Sequence, residues 1–293
     1  MWILFALLTS LLYALYYTFN QRCNLKPSLF MVYRGYFLSL LALPFVLMYA
    51  HTFPWQFYLI AIFQGLVISY SDLKYFQAFH KFGAENVTSI TPLVVMITFI
   101  IWLIIKPSTI IFYAQTPHRS LVILLSIFLI VLAASKYQSQ SFGKKCLRFM
   151  APILILSALL NISNKVIMYY ADGFLLSATI NRICITGFFI GTVNFIVGTK
   201  HNIRLKKFLA LKNLKKGWFI ILLGLSMITI NFSMHYAINP AYTSALIYLS
   251  VIWVMLINKC LAFFGHPVKY KSLSKKWVFI LLLAAIILSI TAY

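Results

Sequence analysis

Ten long apolar runs separated by short polar gaps organise this chain, at residues 2–18, 29–50, 55–77, 84–105, 120–135, 150–170, 174–198, 218–238, 241–262 and 277–293. A helix needs about 20 apolar residues to cross roughly 30 Å of hydrocarbon, and most of these runs have that length. Strands of a membrane barrel would alternate apolar and polar positions over about ten residues. These runs do not alternate, so helices are the backbone solution that leaves no polar group unpaired in lipid. The first run has no basic stretch before it and is followed by Asn20, Gln21 and Arg22, so it reads as a retained helix and not as a cleaved signal peptide. The pattern predicts an all-α membrane protein of ten transmembrane helices.

Composition narrows the class. With 62% hydrophobic residues, a mean hydropathy of +0.92 and only Asp72, Glu85 and Asp172 as carboxylates, the chain has too little polar surface to remain dispersed in water. A net charge of +22 would suit nucleic acid if the basic residues formed a stripe, but they cap apolar runs and face the membrane surface. They fall in every second gap: Arg22 and Lys26; Lys74 and Lys81; Lys136, Lys144, Lys145 and Arg148; Lys200, Arg204, Lys206, Lys207, Lys212, Lys215 and Lys216; Lys259, Lys269, Lys271, Lys275 and Lys276. The alternate gaps hold Lys106 and Arg119 alone. By the positive-inside rule the basic side is cytoplasmic and both termini lie outside. Cys23, Cys146 and Cys260 then sit on the reducing side and Cys184 lies within a helix, with no metal or disulfide spacing.

A weak duplication divides the chain at residues 1–149 and 150–293. Sliding the sequence by 148 residues lays Arg34 on Arg182; sliding it by 159 lays Gly65-Leu66 on Gly224-Leu225, Asp72 on Asn231 and Ala78 on Ala237. The fifth run of each half is short, with 16 residues between Arg119 and Lys136 and 17 from Trp277 to the end. Halves with an odd number of helices insert in opposite orientations, and inverted repeats with a site at their interface mark secondary transporters.

Ser163-Asn164-Lys165, the arginines Arg34 and Arg182 in the second helix of each half, and the passages 75–92 (Tyr75 to Pro92) and 235–246 (His235 to Leu246) resemble the drug/metabolite transporter superfamily, in particular its ten-helix EamA-type members. The resemblance covers nearly the whole chain through loose motifs. It implies two five-helix EamA-like repeats and export of small metabolites or drugs from a cell membrane, such as the bacterial inner membrane. Two departures stand out. Lys106 and Lys259 occupy places after the fourth helices where the family often has an acidic residue, and many ten-helix relatives have cytoplasmic termini, opposite to the charge count kept here.

Charged side chains at membrane depth cost at least ~2.5 to 3.5 kcal/mol each, so they face a cavity or a partner. Arg34 and Arg182 lie roughly 9 and 12 Å along their helices from the nearer ends; they read either as symmetry-related substrate or gating residues or as anchors that snorkel to headgroups or bond a helix C-terminal carbonyl. Lys165, under two turns from Tyr170, carries the same alternatives. Asp72 is the lone carboxylate well inside a run, a structural partner of Lys74 or Arg34, or a proton carrier if unpaired. Asn161, Asn164, Gln64, Tyr70, Asn231 and His235 are candidate ligands or interhelical glue. Tyr17 shares a helical face with Tyr13 and Tyr16, as a cavity wall or a packing face.

There is no phosphate-binding glycine loop, zinc spacing or catalytic carboxylate pair, and the gaps are too short for a soluble catalytic domain. The expectation is therefore a carrier, not an enzyme. It would need no metal or cofactor, protons being the one coupling partner considered, and would act as a monomer or homodimer in the bilayer. It would move small amphipathic, amino-acid-like solutes or drugs by alternating access. The alternative is a membrane scaffold, subunit or lipid-handling protein that carries no solute.

Overall fold

The structure, a computed structural model, describes residues 1–22, 27–49, 51–82, 87–88, 90–138, 144–171, 173–200, 218–264 and 275–292. The most basic gap, 201–217, and also Cys23, Glu85 and Asp172 lie outside the described residues. Regular structure among the described residues is helical throughout: α1 (Trp2–Arg22), α2 (Pro27–Met48), α3 (Trp55–Phe82), α4 (Leu93–Ile105), α5 (Ser108–Gln115), α6 (Pro117–Gln138), α7 (Lys144–Tyr169), α8 (Leu175–Lys200), α9 (Ile220–Tyr236), α10 (Pro240–Ile247), α11 (Ser250–Phe263) and α12 (Lys275–Thr291).

Among the described residues six stretches are long and apolar enough to cross a bilayer: Trp2–Phe19, Leu29–Met48, Pro117–Lys136, Lys144–Tyr169, Leu175–Gly198 and Pro240–Phe263, the last joining α10 to α11. Counting the bent pair α4 and α5 as one span makes seven. The expected ten exceed this number for physical reasons. Helix α3 is 28 residues long but carries Asp72, Lys74 and Lys81, and α9 and α12 are each 17 residues. The helices also outrun the apolar runs. Lys74, Lys81, Lys144, Lys145 and Arg148, expected in gaps, stand on α3 and α7. The fifth run, expected to be short, lies in a helix of 22 residues.

Two features break the simple rhythm. Pro107, which has no amide hydrogen to continue the ladder, sits at the junction where α5 leaves α4 at 106°. The fourth run of each half is interrupted, at Thr91-Pro92 before α4 and at Tyr248-Leu249 between α10 and α11.

The packing is inside out relative to a water-soluble protein. Thr9, Gln64, Ser69, Thr98, Arg182, Asn194, Ser226 and Asn231 are buried, while Leu40, Phe45, Leu47, Ile104, Leu121, Phe188 and Ile290 are exposed. That distribution belongs to a membrane-embedded protein whose solvent is hydrocarbon. At the centre α2 lies along α8; α1 packs on α9 to α11, α7 on α3 and α4, and α6 on α12. Exchanging the first five segments for the last five maps α1 against α9 onto α7 against α3, and α1 against α11 onto α7 against α4. The α2–α8, α4–α10 and α6–α12 pairs map onto themselves.

The central crossing depends on glycine. A methyl group on Gly35 would stand 2.2 Å from the Gly191 amide nitrogen and 2.7 Å from the Gly187 carbonyl oxygen. Backbone cannot yield at such distances. Small residues spaced by four, here Gly187 and Gly191, allow apolar helices to approach this closely.

Candidate functional site

Polar side chains gather at three places along the inner faces of α1, α2, α3, α7, α8 and α9. In the first, Arg34 of α2 donates from its NH1 to Oδ2 of Asp72 on α3 at 2.8 Å, with the two side chains 17% and 27% exposed. Asp72 is therefore partnered by Arg34 and not by Lys74, whose ammonium lies over the Tyr70 ring at 5.8 Å. Arg34 is not a snorkelling anchor. On α1 the Tyr13 and Tyr17 rings stack at 5.8 Å. Tyr17 lies within electrostatic range of Tyr13, Tyr16, Arg34 and Tyr75, and Tyr248 within range of Tyr75 and Tyr17. Yet Tyr17 is 46% exposed. Tyr75 donates to the Thr91 hydroxyl at 3.2 Å, at the interruption before α4.

The second cluster joins the two halves. Arg182 of α8, 2% exposed, donates from NH1 to Oε1 of Gln64 on α3 at 3.1 Å and also to Oδ1 of Asn164 on α7. The Gln64 amide nitrogen donates in turn to Ser163 at 2.9 Å and to Asn164 at 3.1 Å. Gln64 thus uses both ends of its amide, which fixes its orientation. Arg182, like Arg34, does not snorkel.

Lys165 forms the third. Its ammonium, with headgroups, a helix C-terminal carbonyl or a cavity as the alternatives from sequence, is buried and donates to the backbone carbonyls of Met234 at 2.8 Å, His235 at 3.2 Å and Ala237. These are carbonyls that the end of α9 leaves unpaired, and a cation there also meets the negative end of the helix dipole. The Trp102 and Tyr169 rings each lie 5.8 Å from it.

The remaining candidates divide. Asn161 donates to Thr98 at 3.3 Å, tying α7 to α4. Asn231 is fully buried with both side-chain polar atoms unpartnered. Tyr70 and His235 are exposed and belong to no cluster, His235 contributing only its backbone carbonyl to Lys165 and its ring to an edge contact with Tyr236. Sequence reasoning missed the Tyr75–Thr91 bond and the glycine crossing, for which the Gly187 to Gly191 spacing was the available signal. An open, almost wholly apolar groove between α3 and α7 is lined by Leu59, Phe63, Leu159, Ser163 and Val166.

No protein-family model and no curated protein matches the chain. Among solved structures, a crystal structure superposes on 99% of this chain and 97% of its own at a TM-score of 0.63, with 12% sequence identity. The whole fold is shared. At that identity the likeness speaks for the architecture alone, and the chemistry rests on the residues above.

Proposed function

We propose that this protein is a ten-span secondary carrier of the EamA-like drug/metabolite transporter type, built from inverted repeats at 1–149 and 150–293. It moves small amphipathic, amino-acid-like metabolites or drugs by alternating access. The observation that carries this reading is the pair of intramembrane arginines held on polar partners across the bundle, Arg34 on Asp72 and Arg182 on Gln64 and Asn164, beside two interrupted helices. Discontinuous helices at a repeat interface are where secondary transporters hold their substrates. The packing pairs that survive exchange of the halves support the repeat reading, as does the interruption of the fourth segment in both. Intramembrane cations Arg34, Lys165 and Arg182 outnumber the one intramembrane carboxylate, Asp72, so the interior favours zwitterionic or weakly anionic solutes over multivalent cations. Export and residence in a cell membrane follow from the family resemblance, as a monomer or homodimer with no cofactor. Protons are the coupling ion considered, through Asp72.

Counterflow in proteoliposomes against amino acids, nucleosides and drugs tests the reading. Accelerated exchange of at least one class is expected, and purified protein inert across the panel sends the assignment to the scaffold alternative. That second reading draws on one observation of its own: Lys165 is fully engaged with the α9 carbonyls, as structural glue would be. Topology is tested separately by an impermeant maleimide on intact cells. Thr116→Cys should be labelled and Lys206→Cys, outside the described residues, protected; the reverse pattern puts the termini in the cytoplasm.

A further inference from the structure

The two intramembrane arginines have unequal partners. Arg34 is neutralised by Asp72, whereas Arg182, more deeply buried, meets only the amide oxygens of Gln64 and Asn164. Lys165 meets the carbonyl end of α9. Among the described residues Arg182 is thus the intramembrane cation with neither a carboxylate nor a helix end to offset its charge. Both arginines leave Nε unpartnered, so the difference lies in the counter-ion. The alignment that lays Arg34 on Arg182 and Asp72 on Asn231 shows what is missing, because an amide stands where the second half would carry its carboxylate. Asn231 is buried with Oδ1 and Nδ2 both unpartnered. It lies one turn beyond Met227, which belongs to the same buried cluster as Ile183 and Ile190 of α8, and α9 packs on α8, so Asn231 stands on the Met227 face of α9.

We propose that Arg182 seats a carboxylate brought in by the solute, with Asn231 as the neutral donor beside it, so that the ligand completes in the second half the pair Asp72 makes in the first. This deepens the carrier reading and rests on it. An uncompensated buried charge is strongly destabilising, whereas a guanidinium with a free Nε is shaped for a planar carboxylate, and an asparagine Nδ2 can donate to the same anion where an aspartate would repel it. The seat is closed in this structure, since Arg182 and Asn231 are both shielded, while Tyr17 and the Arg34–Asp72 pair keep some exposure. Opening of the Arg182 end admits the anion. The ligand class is therefore a monocarboxylate or the carboxylate of a zwitterion.

The test melts full-length protein in detergent, in sodium acetate and in sodium chloride at equal ionic strength. Wild type should gain several degrees of Tm in acetate over chloride. Arg182→Gln and Asn231→Asp should both lose that gain, and Asn231→Asp should melt in chloride at least as high as wild type in acetate, because it carries its own carboxylate. Should Arg182→Gln fail to fold, Asn231→Asp still decides. Equal melting of wild type in the two salts, or an acetate gain kept by Asn231→Asp, overturns the seat. Counterflow separates this result from the carrier reading. Loss of carboxylate-solute exchange by tenfold or more in Asn231→Asp supports the seat, and wild-type exchange by that variant overturns it. An acetate gain in protein that carries nothing leaves the seat standing and removes the carrier.

Discussion

Helices α2 and α8 pack together at the centre of the molecule and α6 and α12 at its periphery, yet the two pairs are built on opposite principles. The α2–α8 pair crosses backbone to backbone through Gly35, Gly187 and Gly191 and carries Arg34 and Arg182. The α6–α12 pair interlocks Ile123, Ile127, Ile130, Leu281, Ala284 and Leu288, and the Arg119 Nε closes one end by donating to the Thr291 carbonyl. Lipid removes the hydrophobic drive between helices, leaving close packing and polar bonds to hold them. The central pair uses both and takes on the cost of charge at depth. The outer pair relies on apolar packing with one polar bond at its end, and charge there is confined to a helix end. The molecule therefore concentrates expensive groups where the halves meet and keeps them out of its periphery.

The largest expected effect comes from closing the glycine crossing. Gly35→Leu meets backbone at 2.2 Å and should yield no monodisperse protein on size exclusion; wild-type yield of that variant would break the comparison. Next comes Lys165→Met, which keeps the stem and orphans the three α9 carbonyls. It should cost about 3 kcal/mol in unfolding from mixed micelles. Asp72→Asn leaves Arg34, 17% exposed, without its carboxylate, for about 2 kcal/mol. It should also abolish any response of net transport to a pH gradient while leaving exchange measurable. A proton-gradient response that survives in Asp72→Asn would reduce Asp72 to a structural partner of Arg34. The smallest effect is expected at the periphery, where Ile127→Ala should cost about 1 kcal/mol and leave exchange untouched. An Ile127→Ala protein that loses exchange would show that the outer pair takes part in transport after all.

Much of this contrast was legible in the sequence. Arginines, amides and one aspartate inside apolar runs stand out against hydrocarbon, so cost together with the internal alignment and the family resemblance singles out Arg34, Asp72 and Arg182, with Gln64 and Asn164 as ligands or interhelical glue. Their pairing was legible only in part. Asp72 was given Arg34 as one of two possible partners, whereas the bond from Arg182 to Gln64 spans 118 residues and follows from the crossing of α3 and α8, which no local pattern encodes. For Lys165 a helix C-terminal carbonyl was among the open alternatives, but which helix end supplies it, that of α9, is not announced by side-chain chemistry. The extent of α3 to Phe82 was hidden because hydropathy falls at Lys74 while the backbone ladder continues. Helix α5 was read as a gap, since eight residues after a proline carry too little apolar periodicity to register.

The central claim is that the arginines between the halves serve solute movement and are more than anchors. Exchange by purified Arg34→Ala and Arg182→Ala proteins, reconstituted at matched amounts beside wild type, tests it most directly. Both variants should insert and remain monodisperse yet lose at least ~90% of the wild-type rate, which corresponds to about 1.4 kcal/mol or more of lost transition-state stabilisation. Exchange at the wild-type rate by both would contradict the account and return Arg34 and Arg182 to the role of structural ties.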